Sequence, residues 1–139
     1  MFGWFKKKEK PVQKSQDLID DKVLLYDFFK TDQIDAIGVV DGHLELLLID
    51  PLQWEEVVAE QTHLEMLQEK INNYLIYLQE KQYVNRYGDD FTEKVIKLTF
   101  QYSPTNACLA FLVDAHKTLQ SANISLTIIM PDEPNKAEI

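Results

Sequence analysis

Glycine is scarce in this chain, with four residues in 139, and Gly3, Gly38, Gly42 and Gly88 never gather into a loop that could cradle a phosphate. Cysteine is scarcer still. Cys108 stands alone, which excludes an internal disulfide and a cysteine metal site. No run reaches the ~18 apolar residues that a membrane-spanning helix requires. The start, MFGWFKKKEK, has no long apolar core of the kind a signal peptide carries, so a cytoplasmic protein is expected. No Gly-x-Ser-x-Gly elbow occurs. Cations are outnumbered, 14 against 23 anions, for a net charge of −9.

What charge there is falls unevenly. Residues 1–14 hold Lys6, Lys7, Lys8, Lys10 and Lys14 against Glu9, which is +4 and leaves −13 for the remainder. A body that acidic repels nucleic-acid phosphates, so no nucleic-acid partner is expected. Phe2, Trp4 and Phe5 beside Lys6, Lys7 and Lys8 form the one stretch with a membrane-contact chemistry, aromatic rings for the interface and cations for anionic lipid. A solvated, floppy start accounts for the same residues.

The organising stretch is residues 63–80, HLEMLQEKINNYLIYLQE. Leu64, Leu67, Ile71, Tyr74 and Leu78 recur at steps of three and four, the spacing of one helix face, and Leu75 widens the stripe. Before it, Asp41-Gly42 separates IDAIGVV from HLELLLID, a hairpin signal because a type I′ turn needs positive φ at both positions. The turn sets Val40 opposite His43 and Ala36 opposite Leu47, and puts Ile37, Val39, Leu44, Leu46 and Leu48 on one core face. Pro51 ends the second strand. After a loop over 82–93, VIKLTFQY alternates as a strand. A helix follows with Ser103 as cap and Pro104 first, burying Cys108, Phe111, Leu112, Ala115 and Leu119 and ending at Asn123. ISLTIIM is the last strand.

The order β-β-α-β-α-β predicts a two-layer α/β sandwich of the α+β class. It has a four-stranded mixed sheet, two helices on one face through right-handed crossovers, and an extra helix over 17–30. The expected division is a basic, aromatic tail over 1–16, one domain over 17–130 and a disordered tail over 131–139. Sequence leaves the order of the first two strands open.

IDAIGVVDGHLELLLID, Trp54 and HLEMLQEKINNYLIYLQE, with FQYSPTNACLAFLVDAHKTLQSANISL more loosely, resemble an uncharacterised bacterial family of small α/β proteins, a domain of unknown function. Its pattern is a DxIGxxDGxLxLxIxD hairpin followed by an HLxxLQxKINxYL helix. The resemblance implies a fold over residues 33–130 and a bacterial source, and it implies no catalytic residue.

Chemistry-bearing residues are few. Glu60 and His63 have the three-residue spacing of carboxylate-bridged metal proteins, but those need the motif twice, and no metal or cofactor is expected. His63 reads as an exposed or capping residue at its helix start. Asp50, Glu55, Glu56 and Glu60 bracket Trp54, an arrangement that glycosidases use and that the helix dipole also favours. The leading functional reading is a non-enzymatic module that binds another protein, one version being an immunity-type partner of a toxin, since an acidic surface suits a basic client. A second class is an enzyme or small-ligand binder using Trp54, His63 and Gln68 at one end of the sheet. A third is a peripheral membrane protein held by its tail. Finally, Ile34, Leu47, Ile49 and Ile129 fall on the sheet face away from the helices. The helix over 17–30 is expected to cover that patch with Leu25, Phe28 and Phe29, within the chain or across a homodimer.

Overall fold

A computed structural model describes residues 29–55 and 58–131. Its elements are β1 (Ala36–Val40), β2 (His43–Asp50), α1 (Glu60–Gln79), α2 (Val84–Tyr87), β3 (Lys94–Phe100), α3 (Asn106–Ser121) and β4 (Ile124–Ile129). The sheet order is β1-β2-β3-β4, with the first pair antiparallel and the other two parallel. This is the α+β sandwich and mixed sheet that the element order predicts. The hairpin register is as expected, from Ala36 opposite Leu47 to Val40 opposite His43. Asp41 and Gly42 take φ of +51° and +84°, both in the left-handed region that this turn demands.

The core lies between the sheet and the two long helices. Leu44, Leu46 and Leu48 from β2 and Ile96, Leu98 and Phe100 from β3 meet Leu67, Ile71, Tyr74, Leu75 and Leu78 of α1. From α3 come Cys108, Phe111, Leu112, Ala115 and Leu119, the five residues its spacing picks out. Each large apolar side chain so buried contributes ~1.5–3 kcal/mol before ordering costs.

Several expectations are corrected. Val39 is 51% exposed rather than core, because β1 is an edge strand and the hairpin tip overhangs the helical layer. The cap of α3 is Thr105, whose side chain accepts from the Cys108 amide, and the helix begins at Asn106. Residues 84–87 make one helical turn inside the segment read as a loop.

The split far face is present. Glu45 and Lys97 pair across it at 3.5 Å, while Leu47, Ile49 and Ile129 sit half-buried towards the strands' carboxyl ends. Ile34 is not among them. It precedes β1 and packs beside α1, in a groove with Asn73, Ile76 and Tyr77. Of the helix expected over 17–30, all but the end lies outside the described residues. Phe29 is buried in the helical layer, not on the far face: Lys70 of α1 donates to its carbonyl, and Lys30 then turns the chain with φ of +48°.

Candidate functional site

Parallel strands joined by helices bring strand carboxyl ends and helix amino ends to one edge, the usual place for chemistry in such sheets. Here that edge carries Asp50 at the end of β2, Phe100 at the end of β3, and the first turns of α1 and α3. Pro51 stops β2 and the chain bends back through Leu52 and Trp54 to α1.

Asp50 and His63 are both 0% exposed and meet directly. Nε2 of His63 lies 2.8 Å and 3.0 Å from the two carboxylate oxygens, and it donates, since a carboxylate can only accept. Asp50 also accepts from the Leu52 amide. The indole of Trp54 stacks on the imidazole with ring centres 3.5 Å apart and planes 13° from parallel. Phe29 meets the imidazole edge-on at 6.3 Å, and Phe100 leans on Trp54. His63 is therefore interior, not exposed or capping, because a buried carboxylate and an aromatic wall together replace its water.

An Asp–His pair is also how a carboxylate orients a general base, but that base needs its other nitrogen free to reach a substrate. Among the described residues, Nδ1 of His63 is buried and meets no hydrogen-bond partner, and the same holds for Nε1 of Trp54. A buried unpartnered polar atom costs roughly 1–3 kcal/mol. The charge-assisted bond to Asp50 and the stacked rings offset that cost. What the cluster does as folded is fasten the loop after β2 to the first turn of α1.

Of the residues expected to form a ligand site, Trp54 and His63 come together. Gln68 lies more than a turn along α1, nearly buried, with no hydrogen bond to either among the described residues. The residue that completes the pair, Asp50, is visible in sequence only as an acid before a proline. Phe2, Trp4, Phe5, Lys6, Lys7 and Lys8 lie outside the described residues. No group of three metal-ligating side chains occurs among the described residues, and none of the helices searched there is long and apolar enough to cross a membrane.

Cys108 sits near this edge. Burial pushes its thiol up to about 12, and the carboxylates of Asp50 and Glu60 push the same way, so it holds no thiolate at neutral pH. Burial raises Tyr83 to about 12, reinforced by its hydrogen bond to Asp89, and raises Tyr74 further. All three keep their protons when folded at pH values where the unfolded chain has released them. The unfolded state then binds fewer protons, so stability should be full below ~pH 8.5, where free thiols titrate, and fall steadily as pH rises towards the folded values. Urea midpoints followed from about pH 8 to about pH 11 test this. A flat profile would contradict the burial of these groups.

A second constellation pins the segment before β1. Nζ of Lys70, 1% exposed, donates to the Phe29 carbonyl at 2.6 Å and to Oδ1 of Asp35 at 2.9 Å. Oδ2 of Asp35 accepts from the Ile49 amide, and its own amide donates to the Tyr74 hydroxyl, which donates to the Leu47 carbonyl. Beyond this network opens a groove of about 300 Å³ lined by Asp32, Gln33, Ile34, Asn73, Ile76, Tyr77 and Gln82.

Fold and site thus define a small α+β sandwich whose acid–histidine pair is sealed into the core. The chain belongs to a family of unknown function, DUF6572, whose pattern matches residues 27–132. No curated protein and no solved structure matches the chain.

Proposed function

We propose that this protein works without catalysis, by binding a basic partner protein, and that the groove beside α1 receives one of the partner's side chains. The observation that carries this reading is the groove's make-up. Ile34, Ile76 and Tyr77 offer an apolar floor, Gln33, Asn73 and Gln82 a polar rim, and Asp32 is the one charged residue lining it among the described residues. A lysine or arginine fits such a place, its stem on the floor and its charge at Asp32. The groove is at the small end for a cofactor or metabolite, and a body carrying −13 outside the first 14 residues steers basic proteins towards it.

The sealed Asp50–His63 pair supports the same reading, because the best-armed residues of the chain are spent on holding a loop. The test is capture of partners from the source cell with the full chain, with Asp32→Lys, and with Tyr77→Ala. A bound protein should be basic and should be lost with both substitutions, while circular dichroism shows both variants folded. A partner held equally by all three chains would remove the groove from consideration.

A further inference from the structure

Among the described residues, one edge of the sheet carries no protection. β4 is its last strand, and none of Ile124, Ser125, Leu126, Thr127, Ile128 and Ile129 is charged or proline. Edge strands normally carry lysine, proline or a bulge, since bare N–H and C=O groups recruit another strand. Leu126 and Ile128 are only half-buried on the helical side, where their counterparts Leu46, Leu48, Ile96 and Leu98 are fully covered. The layer thins towards this edge.

The helix above it is bare on the same side. Leu109 and Val113 of α3 are 38% and 57% exposed, four residues apart and so one above the other. A right-handed crossover from β3 to β4 sets α1 on one flank of α3 and the open edge on the other. The helix turns about 100° per residue, which aims Leu109 and Val113 at the open edge. Strand edge and helix flank therefore form one margin whose apolar part is Leu109, Val113, Leu126 and Ile128, with exposed Lys117 four residues beyond Val113 at its end.

We propose that this margin is the seat of a second copy of the chain, β4 pairing antiparallel with its twin to give one eight-stranded sheet. The margin is self-complementary, as a two-fold interface must be. Val113 lies at the middle of α3 and Leu126 and Thr127 at the middle of β4, so one axis passes near all three. Registers centred on Leu126 or Thr127 keep Ile124, Leu126 and Ile128 of both copies on the helical side. Helices that each cover two strands spaced ~4.8 Å apart stand ~10 Å apart across the axis, the distance of packed helices. β4 itself carries no anion, and the carboxylate beside it, Glu93, is held by the Ser125 hydroxyl on the face away from the helices. This inference is independent of the groove on α1.

Sedimentation of the full chain from about 1 to about 100 µM should show a dimer of the 16.2 kDa chain that dissociates on dilution. Leu109→Glu together with Val113→Glu, both at exposed sites, should weaken it by ~100-fold or more, on the scale of lost interface anchors, while Asp32→Lys leaves it unchanged. Circular dichroism on the double variant must show an intact fold. If it does not, Val113→Lys alone is to give the same weakening. Hydrogen exchange should show β4 amides losing protection as the dimer dissociates. A monomer at the highest concentration, with β4 protected or open, overturns the proposal, as does a dimer indifferent to these substitutions.

Discussion

Replacing His63 with alanine should cost the fold about 3–5 kcal/mol, the range for stranding a buried carboxylate without its partner. That is a large part of the ~5–15 kcal/mol available to a domain. The size follows from what is left behind. Asp50, at 0% exposure, would keep only the Leu52 amide as a donor among the described residues, and Trp54 would lose the ring stacked 3.5 Å from its own. Asp50→Ala should be less severe, because it takes the carboxylate away and strands no buried anion. Changing both residues to leucine should recover much of the loss, since a well-packed apolar pair is often as good as an ionic one. Urea unfolding of the three variants makes the comparison. If His63→Ala lies within ~1 kcal/mol of the parent, the pair is not what closes this end of the core.

Much of this architecture is legible in the chain because it rests on local rules. Asp41-Gly42 dictates a turn, the turn dictates a register, and the register exposes or buries each residue of β2 by alternation. The stripe of α1 is equally local. Failures occur where a long-range partner decides. Ser103, Pro104 and Thr105 offer two hydroxyls at one helix start, and nothing in the sequence says that Thr105 wins. His63 belongs by spacing to its stripe with Leu67 and Ile71, but a histidine there is taken for a solvent residue until its acid is found thirteen positions earlier. Ile34 and Phe29 fall on the helical side rather than the far face together, because their placement depends on Lys70, a cation that looks solvent-bound by composition. Its position, three after Leu67 and four before Tyr74, put it on the apolar face and was the available signal. A charge on the buried stripe asks for a partner, and Asp35 is that partner.

Lys70→Met should therefore destabilise the protein by about 2–4 kcal/mol while preserving the shape of the stem. Three losses add together. The Phe29 carbonyl loses its donor, the ring of Phe29 loses the ammonium 5.0 Å above it, and Asp35 loses its counter-ion. The Asp35 side chain is 22% exposed, so water relieves part of its penalty and keeps the cost below that of a fully sealed pair. The damage should also be local. Asp35 joins the Ile49 amide to α1, so hydrogen exchange should quicken at Ile49 and through residues 29–35 before the central strands loosen. Adding Asp35→Asn to Lys70→Met should restore part of the loss, since the stranded carboxylate is then gone, and the double-mutant cycle should show a coupling of at least ~1 kcal/mol. Removing residues 1–31 takes away Phe29 together with buried Thr31, whose hydroxyl donates to Glu69 and whose carbonyl accepts from Asn73, and should cost at least as much as Lys70→Met. A Lys70→Met protein as stable as its parent, with unchanged exchange at Ile49, would mean that the segment before β1 is held by its backbone turn alone.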